Sequence, residues 1–358
     1  MNAVKLALIG CGDVAQRDYL PEMHRLAGRA EIVAVCGRTA KRARSVAAEY
    51  GIARWYDDFN CMLAETEADA VLNLTPIQTH AETTLAALQA GKHVYSEKPV
   101  ASTVSDARRI QVEAAERELT LICAPSVMLF PQVQFARSLV ARGAVGALWS
   151  VTGQGHGGVP PWRGYPSDPS PFFARGGGPL MDMGVYPLHA ITGIFGPARR
   201  VSAYGSRARE SFVVDDGPYA GRQVPIETDD TWALLLDLGE GRMATVTANN
   251  SVQASRAPQL ELHGLGGTIA VNLLDVAAPV ELFQPESGWQ RHQVSHARAG
   301  GPDHLLGIEH LVDCITTGAG PKLSIDQAIH VLEIIEAAER SARSGRAIEV
   351  TSTFPQLV

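Results

Sequence analysis

A repeated alternation in the first third of the chain constrains its fold most. Short apolar runs recur there: "VKLALI" (4–9), "EIVAVC" (31–36), "DAVLNLTP" (69–76), "HVYSEKP" (93–99) and "LTLICAP" (119–125). Helical patterns fill the gaps at 14–28, 39–51, 79–92 and 103–117, with Gly51 and Gly91 as stops, and "ARWYDD" adds a short strand. Strands apolar on both faces, separated by amphipathic helices, predict a parallel sheet covered on both sides.

After about residue 125 the texture changes. A helix over 131–142 leads to the strand "ALWSVTGQGHG", a Pro/Gly-rich loop and the helix "LMDMGVYPLHAITGIF". From 199 to about 295 the chain reads as strands joined by turns, with "LGEGR" and "GLGG" as hairpin signals. Helices at about 303–317 and 324–343 finish it. A chain of 358 residues exceeds one ordinary core. The expectation is two domains, a parallel α/β sheet over 1–125 and, over 126–358, a domain built on one antiparallel sheet with helices.

Composition excludes several classes. A net charge of −7 with no long run of one sign argues against nucleic acid or membrane as partner. No apolar stretch approaches the ~20 residues that span a bilayer. Five cysteines without C-x-x-C spacing suit a reduced, cytoplasmic protein. No metal is expected, because "HLLGIEH" (His304, Glu309, His310) has the spacing of an ordinary helix face.

The turn "IGCGDVA" places Gly10, Gly12 and Ala15 in G-x-G-x-x-A spacing, around Asp13 and Val14. Gly10 permits the turn, Gly12 lets the backbone approach a pyrophosphate, and Ala15 lets helix and strand pack closely. Its position in the first strand–turn–helix marks a dinucleotide site. At the end of the second strand, "VCGRT" has Gly37 where NAD-binding chains place a carboxylate for the ribose 2′-hydroxyl. Arg38, with Thr39 and Arg42, suits a 2′-phosphate, so NADP is expected ahead of NAD.

Ligands bind beyond the C-terminal ends of such strands. "NLTP" and "SEKP" therefore make Asn73, Thr75, Pro76 and Glu97 candidates to line the nicotinamide pocket, with Lys98 at its reactive face. His80 is either nearby or a capping histidine. In "GGGPLMDMGVYPLH", Asp182, Tyr186 and His189 are spaced i, i+4, i+7 and share one helical face, with a kink expected at Pro187. Spacing alone leaves Tyr186 equally a core aromatic whose hydroxyl finds a partner, and Asp182 equally a helix cap or ion pair. Trp162, Arg163 and Tyr165 on the preceding loop are candidates for a sugar-stacking or anion-binding rim.

"GCGDVA", "EKP" and "GGGPLMDMGVY", in this order and over most of the chain, resemble the Gfo/Idh/MocA oxidoreductases. The resemblance implies an α/β Rossmann domain over 1–125 and an α+β substrate-binding and oligomerisation domain over 126–358 with a large open, mostly antiparallel sheet. It also implies NAD(P) as cofactor and sugars, cyclitols or related alcohols as substrates, with Lys98 at the position of the family's lysine. Many members carry histidine four residues after the helix aspartate. Tyr186 stands there instead, similar to the glucose–fructose oxidoreductase and dihydrodiol/xylose dehydrogenase branch.

The chemistry implied is hydride exchange at a hydroxyl-bearing carbon, with a proton moved at its oxygen. Tyr186 would exchange that proton and Lys98 bond the same oxygen, or the roles would be reversed. An ammonium ~4 Å from a phenol is worth up to ~4 kcal/mol at an effective dielectric of ~20, enough to lower the phenol's pKa substantially. Asp182 and His189 would bind further substrate hydroxyls. Two other classes share these motifs: a glycosidase or lyase using tightly held NAD(P) for transient oxidation, and a non-catalytic NAD(P)-binding regulator. A homodimer or homotetramer is expected from the open sheet.

Overall fold

The computed structural model describes residues 3–355. The chain forms two compact units. The first contains the residues through Pro125, Tyr165–Ser167 and His304–Ile325; the second contains Ser126–Gly164, Asp168–Asp303 and the residues from Asp326 onward.

In the first unit, β1 (Val4–Ile9), β2 (Ala30–Cys36), β3 (Arg54–Tyr56), β4 (Ala70–Asn73), β5 (His93–Ser96) and β6 (Leu121–Cys123) form one parallel sheet. Its order is β3-β2-β1-β4-β5-β6. This is the doubly wound order, and its direction reverses between β1 and β4. Helices α1 (Ala40–Tyr50), α2 (Phe59–Glu65), α3 (His80–Gln89) and α4 (Val104–Glu116) connect the later strands. Thr39 caps α1 by accepting from the Arg42 N–H, and Gly51 ends it in the left-handed region at φ 67°. The pattern-based reading missed α2, which Asp58 starts by accepting from the Cys61 N–H at 2.9 Å.

The helix expected over 14–28 is instead two irregular pieces, a wider π-helical turn Ala15–Tyr19 and a tighter 3-10 segment Leu20–Leu26. Pro21 in the first turn of the second piece has no N–H to continue an α-helical ladder.

In the second unit, α5 (Pro131–Ala141) leads to β7 (Leu148–Gly155), and α6 (Val185–Phe195) follows the Pro/Gly-rich loop. The remaining strands are β8 (Arg200–Ser206), β9 (Ser211–Val213), β10 (Gln223–Pro225), β11 (Thr231–Asp237), β12 (Met243–Asn249), β13 (Leu260–Gly264), β14 (Gly267–Val271), β15 (Val280–Gln284) and β16 (Gly288–His292). The chain then passes through α7 (Leu305–Thr317), which belongs to the first unit, and returns in α8 (Ile325–Ser344) and β17 (Ile348–Glu349). Nine strands form one sheet in the order β16-β15-β14-β13-β7-β12-β11-β8-β17, antiparallel except for the β7–β12 pair. Along β11, Trp232, Leu234 and Leu236 are buried while Leu235 is exposed, the alternation of a sheet with one covered face. The β9–β10 hairpin stands apart and encloses a small cluster of Phe173, Val214, Val224 and Ile226.

The division differs from a simple cut after residue 125. Helix α7 packs on β1, β5 and β6 of the first unit, and Arg25 and Arg29 reach its Glu309 and Asp313 at 3.3 and 2.5 Å. The parallel sheet must be covered on both faces, and a helix from the far end of the chain supplies part of that cover.

Candidate active site

The glycine turn lies at the reversal between β1 and β4. Gly10 has φ +103°, and a Cβ there would fall 2.4 Å from the Leu74 carbonyl oxygen. Only glycine fits, for steric reasons internal to the protein. Gly12 is different: nothing lies within 4 Å of where its Cβ would stand. The fold does not require glycine at 12, so its bare backbone facing open space fits a ligand that approaches closely. Ala15 is fully buried and Val14 half-buried. Gln16 ties down the turn by donating to the Cys11 and Gly12 carbonyls at 3.0 and 3.3 Å.

Asp13 pairs with Arg17, and burial raises its pKa above the usual carboxylate value against the pull of that guanidinium. Arg17, Arg42, Asp13, Gln16, Ser45 and Pro166 line a cavity of about 330 Å³. Arg42 donates to the Ser167 hydroxyl at 3.3 Å. Arg38 is exposed and has no hydrogen-bond or ion-pair partner among the described residues. Gly37 is buried, and a Cβ there would press on Cys11 Sγ at 3.1 Å. A carboxylate at 37 is therefore disfavoured by packing as well as absent from the sequence. The thiol of Cys11 is pushed up to about 11 by burial and stays protonated.

At the end of β4, Asn73 is fully buried. Its amide donates to the His80 carbonyl at 3.0 Å and the Thr84 hydroxyl at 2.9 Å, while its oxygen accepts from the Thr75 hydroxyl at 2.6 Å. It shapes the loop that presents half-buried Thr75 and exposed Pro76. The buried His80 ring joins two strand ends: Nε2 lies 2.7 Å from the Thr75 carbonyl and Nδ1 2.6 Å from the Pro99 carbonyl. Burial lowers its pKa, and the two carbonyls oppose that.

At the end of β5, Glu97 is buried and Lys98 half-buried. Glu97 Oε2 accepts from the Lys98 N–H at 3.0 Å, and Oε1 accepts from the Tyr19 hydroxyl at 2.5 Å. The Tyr19 and Tyr95 hydroxyls are 3.0 Å apart, and both rings are fully buried. The motif-based reading missed both tyrosines. Tyr95 lies on β5, two residues before Glu97 just past the end of that strand. Nothing local announces Tyr19.

In the second unit, three glycines lead into the segment bearing Asp182, Tyr186 and His189. A Cβ at Gly177 would fall 2.5 Å from the Pro171 carbonyl oxygen, and one at Gly178 would fall 2.8 Å from the Thr228 hydroxyl. Leu180–Gly184 is a π-helical turn that runs into α6. The irregularity thus precedes Tyr186 rather than following it. Pro187, three residues after that turn, has no N–H to continue the helical ladder. The helix lies directly on the sheet: a Cβ at Gly155 would fall 2.7 Å from the Gly184 nitrogen, and one at Gly153 would fall 2.8 Å from Pro187 Cβ. Asp182, Tyr186 and His189 are all buried. His189 donates from Nδ1 to the Val185 carbonyl at 2.8 Å, and its buried Nε2 has no hydrogen-bond partner among the described residues. Burial lowers its pKa to about 4. It is therefore a neutral imidazole that presents an acceptor.

The loop residues separate. Trp162 donates to the Gly157 carbonyl at 2.8 Å and packs edge-on against Phe172. Arg163 is 98% exposed, 3.9 Å from Asp216. Tyr165 belongs to the first unit.

A six-stranded Rossmann sheet with a bare-backbone glycine turn, and a second unit built on an open nine-stranded sheet, define a two-domain dinucleotide-dependent oxidoreductase. The chain belongs to the Gfo/Idh/MocA family. Residues 4–124 match the model of an oxidoreductase family with an NAD-binding Rossmann fold, and residues 133–270 match the Gfo/Idh/MocA C-terminal domain. It is similar to D-apiose dehydrogenase of Paraburkholderia graminis, at 27% identity over 97% of this chain and 90% of that one. It is also similar to D-xylose 1-dehydrogenase (NADP(+)) 2 of Haloferax volcanii, at 26% over 96% and 98%. The fold is shared with levoglucosan dehydrogenase, solved in complex with NADH and levoglucosan, at a TM-score of 0.85 and 19% identity over 98% and 100% of the two chains. Among the described residues, no helix is long and apolar enough to cross a membrane.

Proposed function

We propose that this protein oxidises or reduces a hydroxyl- or carbonyl-bearing carbon of a sugar, polyol or related cyclic alcohol, with NADP as the preferred cofactor. The observation that carries this reading is the fixing of Lys98. Its main chain is held by Glu97 on one side and, through the Pro99 carbonyl, by His80 on the other, at the end of a central strand. The side chain is thus presented from a rigid support where ligands of such sheets bind.

The bare backbone at Gly10, Gly12, Asp13 and Val14, followed by buried Ala15, would hold the pyrophosphate. Thr75 and Pro76 would border the nicotinamide. Arg38 and Arg42 would take a 2′-phosphate, Thr39 acts as the cap that sets Arg42, and Gly37 offers the ribose no carboxylate. When bound, the dinucleotide would supply the hydride acceptor or donor. Every other step falls to side chains. Tyr186 gives or takes the proton at the reacting oxygen, and Lys98 hydrogen-bonds that oxygen and stabilises negative charge on it. Asp182 accepts from a second substrate hydroxyl. His189, neutral with a free Nε2, accepts from another and serves no acid role near neutral pH.

The test is a screen of aldoses, polyols and cyclic diols, following nicotinamide absorbance with NAD and with NADP, alongside Lys98→Ala and Tyr186→Phe. Turnover on at least one such alcohol that falls by two orders of magnitude or more in both variants is expected. Near-wild-type turnover in Tyr186→Phe would overturn the proton assignment, and tighter binding of NAD than NADP would overturn the role of Arg38 and Arg42.

A further inference from the structure

Two guanidiniums line the cavity beside the glycine turn, and they differ in what already holds them. Arg17 pairs with Asp13 and donates to Asp18 from Nε and Nη2 at 3.1 and 2.8 Å. Two carboxylates therefore face its charge. The Arg42 guanidinium has no carboxylate bonded to it among the described residues. Asp13 feels its charge at longer range, but Arg17 takes that carboxylate. The partner of Arg42 is the Ser167 hydroxyl, at 3.3 Å and 125 positions away in the chain. A hydroxyl is a neutral acceptor, so Arg42 keeps its charge and its remaining donors at the wall of a cavity. Ser167 uses a lone pair on Arg42, which leaves its own O–H without an acceptor among the described residues. A guanidinium and a hydroxyl that hold donors side by side fit an anion with several oxygens, such as a phosphate. Pro166, next to Ser167, lines the same cavity.

The segment that carries Ser167 is tied at both flanks. Tyr165–Ser167 belongs to the first unit, whereas Gly164 and Asp168, on either side, belong to the second. Within the second unit, the Gly164 N–H donates to both carboxylate oxygens of Asp216 at 3.0 Å. Asp168 accepts from Arg222 at 2.9 Å with one oxygen and from the Ser170 N–H at 3.0 Å with the other. Asp216 and Arg222 both lie in the connection from β9 to β10. The chain between these two anchors is three residues long, too short to wander far from either.

We propose that Ser167 is a specificity-determining residue for NADP, receiving Arg42 and donating to the 2′-phosphate of the cofactor, and that Arg222 is a positioning residue that holds Ser167 there through Asp168. The inference rests on the reading that Arg42 meets a 2′-phosphate. It adds to that reading a second donor from a distant part of the chain and a task for the β9–β10 connection.

The experiment reads dissociation constants in the full-length protein: fluorescence titration with NADPH and NADH, and calorimetry with 2′,5′-ADP and 5′-AMP. Ser167→Ala should weaken NADPH and 2′,5′-ADP about tenfold, the size of one charge-assisted hydrogen bond, and NADH and 5′-AMP less than about twofold. Ser167→Thr keeps the hydroxyl and should stay within about threefold of wild type. Ser167→Asp offers Arg42 a carboxylate and meets the phosphate with like charge, so it should cut the preference for NADPH over NADH by at least ~100-fold. Arg222→Ala should weaken NADPH about threefold, and combining it with Ser167→Ala should add nothing, because Arg222 acts only through Ser167. Unchanged NADPH affinity in Ser167→Ala, or an equal loss for NADPH and NADH, would overturn the role of Ser167. An additive loss in the double variant would overturn that of Arg222. If the wild type binds NADH more tightly than NADPH, the reading of Arg42 fails and takes this inference with it. If the wild type prefers NADPH and Arg42→Ala removes that preference while Ser167→Ala retains it, the reading of Arg42 stands and only the inference about Ser167 falls.

Discussion

Gly10→Ala and Gly12→Ala look alike in the sequence and should behave oppositely. At Gly10 a left-handed backbone costs an L residue ~1–2 kcal/mol. A Cβ 2.4 Å from the Leu74 carbonyl oxygen must also displace main chain, because no flexible side-chain end is there to yield. Overpacking of that kind costs ~1–3 kcal/mol more. The sum, ~2–5 kcal/mol, corresponds to a fall in Tm of roughly 5–20 °C for a unit of this size. At Gly12 the added methyl meets nothing within 4 Å. Stability should change by less than ~0.5 kcal/mol, or rise slightly because the unfolded chain loses entropy. The same methyl would lie on the surface proposed to meet the pyrophosphate, so NADPH affinity should fall at least ~10-fold, about 1.4 kcal/mol. Melting curves without cofactor and fluorescence titration with NADPH separate the two effects. If Gly12→Ala melts as early as Gly10→Ala, or binds NADPH as tightly as wild type, the division between a steric and a ligand-facing glycine is wrong.

Three other outcomes follow from the geometry. Arg42→Ala should weaken NADP by ~10–100-fold and NAD by less than about threefold, read from Kd values, because a charge-assisted bond to phosphate is worth ~1.5–3 kcal/mol. Gly155→Ala should cost ~1–3 kcal/mol in a denaturant titration and lower kcat as well, since its Cβ would push on the Gly184 backbone just ahead of Tyr186. Burial holds His189 and His330 at about 4, below the ordinary 6.5. The unfolded chain then takes up these protons first, so stability is full above pH 6.5 and falls as pH drops towards 4, by up to ~3 kcal/mol for each. Urea midpoints should be lower at pH 5 than at pH 7.5. His330→Gln, which keeps an acceptor for the Ala198 N–H, should flatten that slope.

Much of the first unit was legible because its signals are local. The Thr39 and Gly51 caps, the apolar strands and the glycine turn each act within a few residues of themselves. The Asp58 cap of α2 was equally local, but the helix it starts is only seven residues long, too short to show a helical period. The π-helical turns at Ala15–Tyr19 and Leu180–Gly184 were not legible, because their residues carry an α-helical pattern and differ only in how the backbone bonds. Gly37 was read through its charge, and the structure adds a packing reason in Cys11, 26 positions away in the chain.

Residue order alone determined that this chain winds a parallel sheet, turns at Gly10 and Gly12, and places a lysine after a strand and a tyrosine on a helix. Those outcomes depend on conformational preference and hydrophobic period, which neighbouring residues settle among themselves. Tertiary structure decided that α7 covers the first sheet, that small residues at 153, 155 and 184 seat the helix of Tyr186 on its strands, and that Tyr19 meets Glu97 across 78 positions. The physical reason is that a buried donor or acceptor takes its partner from whatever strand or helix the fold brings beside it, and sequence distance has no bearing on that choice.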